Sequence, residues 1–176
     1  MKTHLVVTIT CPDRPGIVER VTEVVVGHAA NWEESRMARL GGDFAGIVKI
    51  SVLEEHAAAL ADALRGLADE QLSVLVKAAQ PGAGDPFAEY GLYELRLVGA
   101  DHEGIVHRVA SYLAGQGINV ENMETETVLA PVSATPLFQM QAQIKVPPTL
   151  SLADLKASLE RIGDELGVDI GVGPSS

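Results

Sequence analysis

The chain has 176 residues, 47 % of them hydrophobic and 21 % charged; that is enough for a packed core, it excludes a chain disordered throughout, and no apolar run approaches the roughly 20 residues that cross a bilayer. Net charge is −11 and the 13 Lys+Arg are dispersed, so no basic surface exists for neutralising nucleic-acid phosphates. A single cysteine, Cys11, excludes an intramolecular disulfide.

In chain order, Lys2–Thr10 alternates apolar and polar residues at period two and predicts a strand. Its direct start, without a basic region and apolar run, predicts no signal peptide and a cytoplasmic protein. Pro15 suits the first turn of a helix, with Asp13 near its cap. Ile17, Val18, Val21, Val24, Val25 and His28 then form a stripe at helical spacing. Asn31–Leu40 and Phe44–Leu53 predict strands joined by Gly41-Gly42-Asp43, whose glycines can take positive φ. Leu60, Leu64 and Leu67 mark a helix over Ala57–Leu67, and Leu72–Ala78 predicts a closing strand.

Residues 80–90, opening with Gln80-Pro81-Gly82-Ala83-Gly84-Asp85-Pro86, predict a linker. Beyond it the pattern repeats. Asp13-Arg14-Pro15-Gly16-Ile17-Val18 recurs as Asp101-His102-Glu103-Gly104-Ile105-Val106, and Asn31 recurs as Asn119, both 88 residues on. Phe44–Val52 corresponds to Phe138–Val146 at a shift of 94, which places six extra residues within Thr127–Leu137. The second helix stripe is Ile105, Val106, Val109, Tyr112 and Leu113, ended by Gly115 and Gly117. Ser151 reads as the cap of a last helix carrying Leu152, Leu155, Leu159 and Ile162, before a strand at Val168–Val172. The order βαββαβ, twice, predicts an α+β chain of two ferredoxin-like modules with antiparallel sheets, residues 1–79 and 91–173. Open sheet edges predict side-by-side packing of such modules.

Two features carry candidate chemistry. The strand-to-helix turn, Cys11–Val18, ends on a helix N-terminus whose free N–H groups attract a carboxylate. Asp13 could receive an ammonium group and Arg14 could donate to an acid, a set that fits an α-amino acid; the alternative is a plain capping turn. Asn31 and Asn119 offer donors and an acceptor together; the alternative is a helix-ending residue. In the second copy His102-Glu103 replaces Arg14-Pro15, and Glu103 would repel a carboxylate, so the two turns are expected to differ. Cys11 could act as a nucleophile with His4 or His28 as base, but without a Cys–His signature a buried inert thiol is the favoured reading. Asp101, His102 and Glu103 read as an acid–base cluster or as a solvated first turn. Five histidines show no metal spacing, and no Walker loop, nucleophile elbow or dinucleotide fingerprint is present. Neither catalytic residues nor a metal or cofactor is expected.

Asp13-Arg14-Pro15-Gly16-Ile17-Val18 followed by Asn31 resembles the ACT domain, and Ser35–Phe44 with Thr135–Met140 is similar to the tandem-ACT regulators of the glycine cleavage repressor family. The resemblance implies a non-enzymatic regulator that binds a small amino acid, glycine- or serine-like, at an interface between modules. It implicates Cys11, Asp13, Arg14, Pro15, Gly16, Ile17 and Asn31 in the first copy, and Gly99, Asp101, Gly104, Ile105 and Asn119 in the second. It also implies a homo-oligomer with a protein partner such as a transcriptional activator, and no direct contact with nucleic acid or membrane. The competing expectation is an adaptor whose modules dimerise and dock partners without a ligand.

Overall fold

The computed structural model describes residues 1–79, 85–131 and 134–175. Residues 80–84 of the expected linker, and residues 132 and 133 of the expected insertion, lie outside them. The chain divides into two compact units, Met1–Ala83 and Gly84–Ser176. Among the described residues no helix is long and apolar enough to cross a membrane.

The first unit runs β1 (Lys2–Pro12), α1 (Ile17–Gly27), β2 (Asn31–Leu40), β3 (Asp43–Leu53), α2 (Glu54–Arg65) and β4 (Ser73–Ala78). Its sheet has the order β2-β3-β1-β4, antiparallel throughout. Alternation along β1 buries Leu5, Val7, Ile9 and Cys11 against the helices and turns His4, Val6 and Thr8 to the uncovered face. Ile17, Val21 and Val25 supply the buried stripe of α1, each such side chain contributing about 1.5–3 kcal/mol when fully buried. Val18, expected in that stripe, is 42 % exposed, one position off the face that meets the sheet. The helix also begins after Pro15 and Asp13. Gly16 is its cap, at φ 91°, and no side chain caps it. Chain reversal between β2 and β3 uses Gly41 and Gly42, both at positive φ, so Asp43 already belongs to β3. α2 starts at Glu54 rather than Ala57 because Leu53 passes straight from strand into helix, with Glu54 and Glu55 at the positive end of the dipole.

The second unit repeats the plan with β5 (Gly91–Ala100), α3 (Ile105–Gly115), β6 (Asn119–Leu129), β7 (Pro136–Val146), α4 (Leu152–Leu166) and β8 (Val168–Pro174), in the sheet order β6-β7-β5-β8. The Ser151 hydroxyl accepts from the Asp154 N–H at the head of α4, and Gly167 closes that helix at φ 67°. Ile105, Val109 and Leu113 on α3 and Leu155, Leu159 and Ile162 on α4 pack onto Leu95, Leu97, Met140, Ala142 and Ile144 of the sheet. Both modules thus have the two-layer, split-βαβ architecture. In each, one edge strand, β2 or β6, is exposed along nearly its whole length.

Candidate functional site

The turn after β1 is held at its place by the far end of the β2–β3 hairpin. Asp13 donates its backbone N–H to the Gly42 carbonyl at 2.9 Å, and its carboxylate lies 2.6 Å from Arg39 Nε. Arg14 turns the other way, its guanidinium reaching Gln71 Oε1 at 3.2 Å and Asp69 Oδ2 at 3.5 Å in the loop between α2 and β4. Arg20, one turn into α1, meets the same Asp69 oxygen at 3.4 Å. Asp69 further accepts the N–H groups of Gln71 and Leu72, and these two backbone bonds, with the arginines, hold its carboxyl below the usual range. A shallow hollow remains over the helix start, lined by residues Asp13 through Glu19 and by Phe44. It lies at the N-terminus of α1, whose first N–H groups have no partner within the helix. The two charges expected to grip a ligand there, on Asp13 and Arg14, both have ion-pair partners inside the unit.

Pro15 and Gly16 line this hollow, whereas Cys11 and Ile17 face the core at 3 % and 4 % exposure. Burial pushes the Cys11 thiol up, away from the thiolate form that nucleophilic work needs. Among the described residues no group of three His, Cys, Asp or Glu side chains is arranged to hold a metal ion.

The second turn keeps the backbone and changes the ties. Asp101 donates its N–H to the Pro136 carbonyl at 3.1 Å, and its carboxylate accepts from Thr127 Oγ1 at 3.5 Å. Gly104 is again the helix cap at φ 91°. His102, at the place of Arg14, sets Nδ1 3.0 Å from the Glu103 carbonyl and Nε2 2.8 Å from the Leu166 carbonyl at the end of α4. Gly99 lies under Val168, where a Cβ would meet the valine Cγ1 at 2.4 Å, and Ile105 is buried; both are packing positions.

Asn31 does not join Asp13. It begins β2, paired with Ser51, while Asp13 sits beside Arg39 near the end of that strand. At about 3.3 Å per residue the separation is on the order of 25 Å. Asn119 begins β6 in the same way, opposite Lys145, and its amide donates to Glu121 Oε1 at 2.6 Å.

A cluster that motif reading missed surrounds Asn31. The bulge between Trp32 and Glu34 sets Glu33 over the uncovered face, with Oε2 3.2 Å from His4 Nε2 and 3.6 Å from Lys49 Nζ. The Ser51 hydroxyl beside it, then the His4 and Lys49 charges, hold the Glu33 carboxyl below its usual range. The only signal in the sequence is alternation, which turns His4, Lys49 and Ser51 away from the core. On the second unit, a broad hollow is lined by Arg96, Glu124, Glu126 and Asp169 of the sheet and by Glu160 and Asp164 of α4.

The ACT-domain family profile matches residues 3–77. The glycine cleavage system transcriptional repressor of Escherichia coli K12 is 24 % identical over 167 residues, covering 93 % of this chain and 85 % of the relative. A solved structure of an unknown protein from Galdieria sulphuraria is 34 % identical, covers 100 % of both chains and superposes with a TM-score of 0.82.

Proposed function

We propose that this chain, whose residues 3–77 match the ACT-domain family profile, is a non-catalytic cytoplasmic regulator that senses a small amino acid, glycine- or serine-like. Its output is control of a protein partner, such as a transcriptional activator of glycine cleavage genes, in keeping with the name of its Escherichia coli relative. A chain of net charge −11 reaches transcription through another protein more readily than through DNA.

One observation carries this reading: Asp13 and Asn31 stand at opposite ends of an unpaired edge strand. An exposed edge is a template for pairing, and antiparallel pairing of β2 with the same strand of a second copy sets the end of one beside the start of the other. The turn of one copy then faces the Asn31 end of its partner, giving an interface site that neither copy has alone. Titration of the purified chain with the twenty amino acids by calorimetry, with its oligomeric state followed by light scattering, tests this. Absence of binding at millimolar concentration by all twenty would sink it.

The adaptor reading draws on a separate observation, that Asp13 and Arg14 are already paired within the unit. On that reading Asn31→Ala leaves partner docking intact.

A further inference from the structure

On the uncovered face of the first sheet, Asn31, Ser51 and His4 form a row across β2, β3 and β1. Directly opposed residues on neighbouring strands point the same way. Glu33, freed from the ladder by the bulge, lies over that row and pairs with His4 and Lys49. Ser51 is the one polar side chain in the buried class among the described residues, at 2 % exposure. Its hydroxyl has no hydrogen bond of regular geometry there, the adjacent Glu33 included. The second unit does not reproduce this arrangement. At the corresponding positions stand Leu92, Asn119, Glu121, Gln143 and Lys145; Asn119 is satisfied by Glu121, and Lys145 by Asp85.

We propose that the Glu33–Lys49–His4 cluster, floored by Ser51 and flanked by Asn31, binds the two charged ends of an α-amino acid. The carboxylate goes to Lys49 and His4, and the ammonium to Glu33. The decisive consideration is charge balance. The resting cluster is an ion pair, and a zwitterion can open it by giving each half a new opposite charge, with no net change. A simple carboxylate entering there leaves Glu33 without Lys49 and repelled by the newcomer; a simple amine leaves Lys49 bare. Asn31 offers donors and an acceptor at the rim of the cluster, and the Ser51 hydroxyl beside Glu33 stands at its floor. This inference rests on the amino-acid reading above but moves the charged contacts from the Asp13 turn to the opposite end of β2.

The test titrates the full chain with glycine, serine, acetate and methylamine, first as wild type and then as Glu33→Gln, Lys49→Met and Arg14→Ala. Glycine or serine should bind while acetate and methylamine do not. Glu33→Gln and Lys49→Met should each weaken binding about tenfold or more, as expected for losing a charged partner, and Arg14→Ala should weaken it less than either. Amide shifts of Ser51 and its neighbours in the unaltered chain give a second readout that does not depend on a variant folding. Loss of binding in Arg14→Ala, with Glu33→Gln and Lys49→Met unaffected, overturns this placement and leaves the sensor reading standing. Acetate binding as well as glycine overturns the zwitterion argument alone. No amino acid binding to the wild type overturns both.

Discussion

The Nε2 of His102 lies 2.8 Å from the carbonyl oxygen of Leu166, while Nδ1 of the same ring lies 3.0 Å from the Glu103 carbonyl. Carbonyls only accept, and a neutral imidazole has one N–H, so both contacts are hydrogen bonds only in the imidazolium. The two carbonyls and nearby Asp101 raise the His102 pKa. A pKa raised on folding adds stability that is complete below the unfolded value, about 6.5, and is lost as pH rises through the folded value. The tie between the second turn and the end of α4 is therefore expected to loosen as pH rises through that folded value. Proton-detected titration of the ring should give a pKa above that of free histidine, and His102→Gln should flatten the pH dependence of melting on that side. A ring pKa at or below the free value would refute the assignment.

Asp69 predicts the opposite slope for the first unit. Its pKa is lowered chiefly by the N–H groups of Gln71 and Leu72 and then by Arg20 and Arg14. A depressed pKa contributes stability above the unfolded value that disappears as pH falls through the folded one. Asp69→Ala should weaken the wild type's acid-side loss of stability and release Arg14 and Arg20 together. Asp62, which pairs with Arg65 in an exposed contact three residues away, is the comparison, and Asp62→Ala should release neither Arg14 nor Arg20. Equal acid limbs for the wild type and Asp69→Ala would contradict the role given to Asp69.

Most of the fold was legible because the chain states it twice. The 88-residue repeat, the alternation in β1 and the stripe of α4 follow from local period and survive into the structure. The site was less legible, and for one physical reason: partners that decide what a charge is free to do come from distant loops. Arg14 looks available beside a helix start, yet Asp69 is 55 residues away in sequence and at its guanidinium in space. Asn31 looks adjacent to Asp13 only because the helix between them is short in sequence; the fold spends that helix crossing the sheet from end to end. Glu33 depends on a single-residue bulge, and a one-residue shift in a strand moves a side chain to the other face. No residue pattern in β2 announces that bulge.

Cys11 is expected to be chemically silent. It is the last core-facing residue of β1, 3 % exposed, and its thiol is pushed up mainly by burial. Thiolate is the reactive form, so a thiol-specific reagent at neutral pH should modify the native chain only as fast as the first unit opens. Denaturant should release one full equivalent. Rapid stoichiometric labelling of the native protein would overturn this and reopen a chemical role for the residue.

Gly99 separates a packing role from a ligand role at a position where the resemblance implies the second. A methyl group there would approach Val168 Cγ1 to 2.4 Å and its backbone Cα to 2.8 Å. The valine side chain could turn, but its backbone belongs to β8, which pairs with β5 at this register, so the strand itself must move. Overpacking of this kind costs about 1–3 kcal/mol. Gly99→Ala should therefore lower the melting temperature of the second unit and leave amino-acid binding in the surviving folded protein unchanged. Val168→Ala in the same chain removes the clashing branch but leaves the backbone of β8 too close, so it should restore only part of the loss. If Gly99→Ala keeps full stability and instead abolishes binding, the glycine is there for the ligand and not for the strand beside it.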